Sequence, residues 1–295
     1  MNILISGSSG LVGGRLMRLL RASGHRVTTL VRREPRSADE RQWDPARGQL
    51  DPAVLDGIQG VVNLAGDNIG KGRWNDAKKK RILESRVQTA GLLADTIAKA
   101  AHKPEVFVSA SAIGFYGDRG SEALSESSAP GEGFLVDVCR QWEAAAMRAG
   151  IRTVLLRFGV ILAKEDGALA KMMTPFKLGV GGNMGDGKQY WSWVTVDDVA
   201  RMILFSLTHP ELSGPVNAVA PQPVTNAEFT RTLGQVLHRP TLFPMPAFAA
   251  RLALGEMADA LILSSARVVP SKLQAAGFEF AHPDLKSGLA AVIAG

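Results

Sequence analysis

The stretch MNILISGSSGLVGGRLMRLLRASGHRVTTLVRR, residues 1–33, decides the fold. Its apolar run Ile3–Ile5 ends just before a glycine loop, and a leucine-rich segment with helical spacing then extends to Gly24. A second β-rich run, Val27–Val31, follows. Strand, glycine loop, helix and strand in this order predict a right-handed βαβ unit whose first strand is buried in a parallel sheet.

The glycine loop has the spacing G-x-x-G-x-x-G. We predict that Gly7 allows the tight turn off the strand, Gly10 lets backbone approach a pyrophosphate, and Gly13 lets the helix pack close to the sheet. Phosphates would lie at the helix N-terminus, where unpaired N–H groups and the positive end of the dipole favour anions. A glycine-rich turn without a ligand is the alternative. The predicted binding residues of this loop are Gly7, Ser9, Gly10, Leu11, Val12 and Gly13.

The end of the second strand indicates which dinucleotide is bound. A site for a cofactor without a 2′-phosphate usually has Asp or Glu about 20 residues after the glycines. This chain has Arg32 and Arg33 there instead. Because a guanidinium suits a 2′-phosphate and an acid would repel it, we predict NADP(H) rather than NAD(H). Two solvated arginines at a strand end are the alternative interpretation.

Composition limits the class of protein. The chain has 295 residues, 46% of them hydrophobic and 21% charged, which is usual for a globular protein. A single cysteine excludes an internal disulfide framework. We find no apolar run long enough for a membrane span and no signal peptide, and we expect a soluble, cytoplasmic protein without a membrane partner.

The formal net charge of +6 permits nucleic-acid binding but does not argue for it. The densest basic cluster, residues 78–81, lies in a predicted helix and is interpreted as a solvated face. We therefore expect a small-molecule substrate and no nucleic-acid partner, and we predict no metal site. A homodimer is compatible with the sequence, which does not determine the oligomeric state.

The remaining segments complete an α/β pattern. We predict core strands at 61–66, 106–112 and 153–158, a strand at 190–196, long helices at 76–101 and 134–149, and a polar loop at 36–49. Together they predict a Rossmann-type doubly wound parallel sheet with a smaller C-terminal α/β lobe. The predicted cofactor domain covers residues 1–165, with 190–220 returning to it. The predicted substrate lobe covers 166–295 and includes a C-terminal extension at 245–295.

Several motifs together carry a family resemblance. They are Gly7-x-x-Gly10-x-x-Gly13, Asn63-Leu-Ala-Gly-Asp-Asn-Ile69 with Arg73-Trp74, Ser85-Arg86-Val87, the serine-containing strand before Tyr116-Gly117, Trp142-Glu143, Gln189-Tyr-Trp-Ser-Trp193 and Val268-Val-Pro270. The chain resembles the extended short-chain dehydrogenase/reductase superfamily, and within it the nucleotide-sugar-epimerase-like subgroup called epimerase family proteins. The resemblance implies NADP(H) binding. Further residues assigned to the cofactor on this basis are Leu64, Ala65, Gly66, Arg73, Arg86 and Ser109.

The chain departs from the superfamily where catalysis is expected. Most members are expected to use a Ser, a Tyr that exchanges a proton with the substrate, and a Lys four residues later that lowers the Tyr pKa from its usual ~10. The only tyrosines here are Tyr116 and Tyr190, and neither has a lysine four residues on. Aligned on Trp142-Glu143, the Tyr and Lys positions hold Leu135 and Cys139. The Ser position is retained as Ser111, with Ser109 as the other candidate.

Three accounts of the chemistry follow from this departure. Tyr116 is a candidate proton donor or, alternatively, a packed aromatic residue. Cys139 is a candidate weak acid or, alternatively, a small buried hydrophobic residue. In the third account the site binds NADP(H) and does little chemistry. Lys171, Gln189, Trp191 and Trp193 are candidates to line the substrate cleft or are structural.

The sequence therefore favours an NADP(H)-dependent oxidoreductase or epimerase-like enzyme of unknown substrate, acting near Ser111. The alternative is a dinucleotide-dependent regulatory or scaffold protein, which the missing Tyr and Lys favour.

Overall fold

The computed structural model describes all residues, 1–295. Its strands are, in chain order, β1 (Asn2–Ser6), β2 (Arg26–Val31), β3 (Glu40–Gln42), β4 (Gly60–Asn63), β5 (Val106–Ala112), β6 (Ala123–Leu124), β7 (Arg152–Phe158), β8 (Val160–Leu162), β9 (Tyr190–Trp191), β10 (Trp193–Thr195), β11 (Gly214–Ala218), β12 (Val224–Thr225) and β13 (Arg267–Val268).

The helices are α1 (Leu11–Ala22), α2 (Asp76–Lys99), α3 (Phe134–Met147), α4 (Gly167–Lys177), α5 (Val196–Thr208), α6 (Asn226–Leu237), α7 (Ala247–Leu254), α8 (Glu256–Ala258), α9 (Ser271–Ala275) and α10 (Leu285–Ala294). Helix α8 continues as a π-helical turn, Asp259–Leu263. No helix combines the length and the apolar character that a bilayer crossing requires.

Seven strands form one parallel sheet in the order β11-β7-β5-β4-β1-β2-β3. The chain order reverses between β1 and β4, which is the topological switch point of a doubly wound sheet. The predicted Rossmann-type fold class is confirmed. A crevice at the carboxyl ends of β1 and β4 is therefore the expected place for a ligand.

The first strand shows why its sequence is apolar without alternation. Ile3 and Ile5 are fully buried on one face, against Leu16 of α1 and Ile203 of α5. Leu4 is fully buried on the opposite face, in the cluster that contains residues of α2 and α3. Because helices cover both faces, the three central positions of β1, residues 3–5, are all apolar.

Two local differences from the predicted elements have physical causes. The polar segment 36–49 was predicted as a loop, but Glu40–Gln42 forms the edge strand β3 beside β2. Only one side of an edge strand is paired and its faces are accessible here, so no apolar pattern marks it. The predicted strand 190–196 is interrupted at Ser192, whose hydroxyl donates to the carbonyl of Ala266 and accepts from the N–H of Val268.

The C-terminal segment packs against both parts of the molecule. Its last helix, α10, packs on α6, and Leu289 joins the cluster around Trp193. Residues before it return to the large sheet, because Leu273 and Phe278 lie in the same core cluster as Ile3. The C-terminal segment thus contributes both to the cluster around Trp193 and to the core of the large sheet.

Asp198 holds the segment before α10 against the large sheet's helix α5. Its carboxylate is 1% exposed, accepts the N–H groups of Ala281 and His282 at 2.9 and 3.1 Å, and pairs with Arg201 at 3.1 Å. The contact joins α5 of the large domain to the segment that precedes α10. One carboxylate thus satisfies two backbone donors that the C-terminal chain would otherwise leave unpaired.

We predict that Asp198→Ala lowers the free energy of unfolding by about 3 kcal/mol, because it leaves two N–H groups and a guanidinium without their acceptor. Urea unfolding followed by circular dichroism measures this. The control is Glu211→Ala, an exposed carboxylate, which should change the value by no more than about 0.5 kcal/mol. Equal effects of the two substitutions would show that the contact does not fix the segment.

Candidate cofactor crevice

Close backbone packing shapes the glycine loop. Gly7 has φ +72°, and a Cβ there would lie 2.6 Å from the carbonyl carbon of Leu64. A Cβ on Gly13 would lie 2.2 Å from the carbonyl oxygen of Gly7, so Gly13 allows approach to the loop itself rather than to the sheet. A Cβ on Gly10 would meet only the Gly7 carbonyl oxygen, at 3.4 Å. The protein's own packing requires Gly7 and Gly13, and the outer side of Gly10 stays open.

The loop leads directly into α1, whose N-terminus has no competing acceptor. Gly10 is the N-cap and provides no side-chain cap, and the first turn contains no acidic residue. Ser9 and Gly10 are exposed, while Leu11 and Val12 are half-buried. The orphan N–H groups of this turn, together with the helix dipole, suit a phosphate group. The residues present therefore fit the pyrophosphate of a dinucleotide.

The two arginines after β2 differ in their partners. Arg33 forms a bidentate pair with Glu40, with nitrogen–oxygen distances of 2.8 and 2.6 Å, and these hydrogen bonds lower the pKa of the Glu40 carboxyl to about 2. Glu40 also accepts the backbone N–H of Arg36. Arg32 is exposed and makes no hydrogen bond or ion pair within the chain. Of the two, Arg32 is the guanidinium free to bind a phosphate.

A rigid turn after β4 forms the other wall of the crevice. Leu64, Ala65 and Gly66 follow Asn63, whose side-chain oxygen accepts from the Ser6 hydroxyl at 2.6 Å. The backbone N–H of Asp67, directly after the turn, donates to the Ser85 hydroxyl of α2 at 2.9 Å. These contacts tie the turn to β1 on one side and to α2 on the other, beside Gly7.

A buried polar network lies at the carboxyl ends of β5 and β7. Arg157 of β7 and Glu143 of α3 form a bidentate pair at 2.8 Å, and both are almost inaccessible. Ser111 donates to Glu143 at 2.6 Å. The Tyr116 hydroxyl donates to Asn217 at 2.7 Å and accepts from Arg157 at 3.0 Å. Each polar group therefore has a partner inside the protein, as buried charges require.

This network determines where two of the predicted catalytic residues lie. Tyr116 is 0% exposed, and burial raises the pKa of its hydroxyl. Ser111 is 1% exposed, and Ser109 is fully buried with its hydroxyl directed to the Ala110 carbonyl. The structure thus brings Ser111 and Tyr116 into one network but gives neither hydroxyl a free surface.

The third candidate, Cys139, is also enclosed. Its side chain is 3% exposed, and its thiol contacts the Ala112 carbonyl at 3.6 Å. Burial raises the pKa of the thiol to about 12, so it is neutral at physiological pH. Leu135, one turn earlier on α3, packs near Gly114. Neither Leu135 nor Cys139 therefore presents an accessible titrating proton.

The loop of residues 67–75, here called the crevice loop, reaches across to the C-terminal half. Lys171 of α4 donates to the Gly70 carbonyl at 2.7 Å. Arg73 donates to the Leu252 carbonyl of α7 at 3.1 Å, although the sequence assigned Arg73 to the cofactor. Lys78, only 5% exposed, anchors the start of the loop through Asp67. The crevice loop is therefore bonded to both α4 and α7.

The other cleft candidates are core residues. Trp193 is fully buried and donates its indole N–H to the Gln222 carbonyl at 2.9 Å. Trp191 and Gln189 both donate to the Ile262 carbonyl, at 3.2 and 3.1 Å. The Gln189 and Trp191 side chains therefore hold the π-helical turn at 259–263 beside β9, whereas Trp193 is bonded to the loop between β11 and β12.

Sequence reasoning missed the partners in the buried network, Glu143, Arg157 and Asn217. One signal was present: Arg157 interrupts the apolar strand Thr153–Phe158, where a charge requires a buried partner. Nothing in the sequence identified which acid that partner is.

Comparisons with known proteins agree with this geometry. Residues 3–219 match the model of the NAD dependent epimerase/dehydratase family, and residues 245–292 match a domain of unknown function, DUF1731. An epimerase family protein of Mycobacterium leprae is 41% identical over 290 residues, covering 97% of this chain and 94% of its own. The human epimerase family protein SDR39U1 is 34% identical, with full coverage of both chains.

Solved structures show the same similarity. The crystal structure of human SDR39U1 with NADPH superposes with a TM-score of 0.90 at 32% identity, covering 99% of both chains. A nucleoside-diphosphate sugar epimerase from Corynebacterium glutamicum gives 0.81 at 37% identity, covering 98% of this chain and 57% of that one.

We predict opposite effects for adjacent glycines of α1. Gly13→Ala should lower the free energy of unfolding by about 3 kcal/mol, because its Cβ forces the Gly7 carbonyl to move. Gly14→Ala meets no atom within 4 Å and should be neutral or stabilising by up to about 1 kcal/mol. Urea unfolding of both variants checks this, and destabilisation by Gly14→Ala would contradict the packing described.

Proposed function

The chain belongs to the NAD dependent epimerase/dehydratase family, and from this membership and the geometry of the crevice we propose that it binds NADP(H) and acts on a small molecule as an oxidoreductase or epimerase-like enzyme. Two features of the crevice support this proposal most directly. The N-terminus of α1 has no side-chain cap and no acidic residue in its first turn, and Arg32, after the end of β2, has no ion-pair partner. The first suits a pyrophosphate and the second an additional phosphate. That a similar human protein was crystallised with NADPH supports this assignment.

The sheet order supports an orientation for the cofactor. In a doubly wound sheet the dinucleotide crosses the switch point, which here lies between β1 and β4. Arg32 follows β2, so the adenosine half with its 2′-phosphate would lie on that side. The nicotinamide half would then lie over the turn at 64–66 and towards α3.

In the proposed reaction, the residues of the chain position the cofactor and substrate and enclose them in the crevice. When bound, a nicotinamide supplies or accepts a hydride, and a substrate oxygen must then exchange a proton. Tyr116 and Cys139 are too enclosed to exchange that proton with a substrate. The bridge from Lys171 to Gly70 would cover a ligand in the crevice and restrict water.

The same enclosure favours a second candidate function, a regulatory or scaffold protein that senses NADP(H). A protein of this class needs the cofactor site but no proton-transfer residue. The crevice loop and α7, joined by the Arg73–Leu252 contact, would be ordered by a bound cofactor and could present that state to a partner.

We predict that the protein binds NADPH at least about tenfold more tightly than NADH, and that Arg32→Glu removes this preference, because a carboxylate replaces the cation facing the 2′-phosphate. Calorimetric titration with both cofactors measures it. The matched control is Arg18→Glu, the same charge change at an exposed site on α1, which should keep the preference. Equal NADPH affinity in all three proteins would contradict the assignment of Arg32.

A turnover experiment separates the two functions. The enzyme proposal predicts cofactor-dependent change in absorbance at the nicotinamide band with some member of a broad panel of carbonyl compounds and alcohols. The regulatory alternative predicts NADPH binding without turnover and a partner that is retained only when NADPH is present. Partners that bind equally with and without NADPH would exclude the regulatory proposal.

A further inference from the structure

The exposed apolar side chains of this protein are concentrated in one region. Eight large apolar residues are exposed, and seven of them lie in two short segments, 178–180 and 242–252, which we call the apolar patch. Single exposed apolar residues are usual, but a group of this size marks an interaction site. The four most exposed members, each between 72% and 78% accessible, are Leu178, Leu242, Phe248 and Leu252.

Backbone contacts join the two segments of the apolar patch into one surface. The N–H of Phe243 donates to the Gly181 carbonyl at 3.3 Å. A Cβ on Gly182 would lie 2.2 Å from the carbonyl oxygen of Phe243, so the two backbones pack directly against each other. Three prolines between residues 240 and 246 restrict the backbone further. The patch is therefore a fixed part of the fold.

Helix α7 contributes to the apolar patch with an orientation that is the reverse of the usual one. The small side chain of Ala250 is fully buried, whereas the large side chains of Phe248 and Leu252 are exposed. Their spacing of four residues places Phe248 and Leu252 on one face of the helix. A helix that packs only within its own domain has its large apolar residues inside. Helix α7 therefore presents an apolar face to a partner outside the chain.

The segments that form the patch also carry unpaired positive charge. The acidic residues that follow α7, Glu256 and Asp259, are each paired, with Lys79 and Arg251. Asp186 is the one carboxylate within segments 171–188 and 238–252. The same two segments contain four cations that take part in no ion pair: Lys171, Lys177, Lys188 and Arg239.

We propose that the apolar patch docks on the surface of an anionic lipid bilayer. Its phenylalanine and leucine side chains supply the apolar area that enters the interface, and its cations attract negative headgroups. Lys177 and Arg239 lie together at the patch, because the Arg239 guanidinium donates to the Lys177 carbonyl at 2.9 Å. A second copy of the chain suits the patch less, because a two-fold interface would place the same cations against each other.

This docking differs from the expectation from the sequence, which predicts no membrane partner because it contains no spanning segment. Peripheral binding needs no such segment. The patch forms only where residues 178–183 meet residues 240–252 in the folded chain.

Co-sedimentation of the full chain with lipid vesicles tests the proposal. We expect vesicles of phosphatidylcholine with about 40% phosphatidylglycerol to bind the protein at least about tenfold more tightly than vesicles of phosphatidylcholine alone, and salt to weaken this binding. Leu242→Ser combined with Phe248→Ser should weaken binding to the anionic vesicles at least about tenfold, because two apolar side chains leave the interface. Lys177→Gln combined with Arg239→Gln should reduce the preference for anionic vesicles about fivefold or more.

Matched controls remove the same kinds of side chain outside the patch. Met147→Ser removes an exposed apolar residue of α3, and Lys99→Gln combined with Lys103→Gln removes two exposed cations. Both should leave vesicle binding unchanged, and circular dichroism verifies that every variant is folded. Wild-type protein that does not sediment with anionic vesicles would overturn the proposal, as would unchanged binding by the Leu242→Ser and Phe248→Ser variant. A dimer in light scattering that this variant converts to a monomer would also overturn it, because the patch would then join two copies of the chain.

Discussion

The backbone contact between Gly13 and the carbonyl of Gly7 is the constraint on which the crevice depends. It folds the glycine loop against the start of α1, while Gly7 packs against the Leu64 carbonyl of the neighbouring turn. Two loops from either side of the switch point are thereby held within van der Waals distance. Because the contacts are between backbone atoms, no side chain fills the space above α1, and its N–H groups remain available for an anion.

A second constraint explains why the expected catalytic region is closed. The Glu143–Arg157 pair is buried between α3 and β7, and such a pair is tolerated only when its remaining hydrogen-bonding capacity is satisfied. Ser111 and Tyr116 satisfy it, and Asn217 completes the network. The hydroxyls of Ser111 and Tyr116, both predicted catalytic residues, are therefore hydrogen-bonded within this network.

The C-terminal region packs against both the crevice loop and the large sheet. Its helices contact the crevice loop through the Arg73–Leu252 hydrogen bond and the first turns of α2 through the Lys79–Glu256 pair. Its later residues insert Leu273 and Phe278 into the core of the large sheet. A ligand that orders the crevice loop would thus also affect residues 245–292, the segment matched by DUF1731, through the contact between Arg73 and Leu252. This placement suits both an enclosed reaction and a surface that reports cofactor binding.

The sequence by itself determined the doubly wound parallel sheet, the position of its main strands along the chain and the glycine loop, because those depend on patterns within about 30 residues: apolar runs, helical spacing and glycines at fixed intervals. The tertiary structure decided which polar groups stay free. Arg32 and Arg33 are adjacent and identical in the sequence, but only Arg33 forms an ion pair with Glu40. The Tyr116 hydroxyl donates a hydrogen bond to Asn217, which is 101 residues away in the sequence. Hydrogen-bond partners and burial are set by packing between distant segments, which no local pattern encodes.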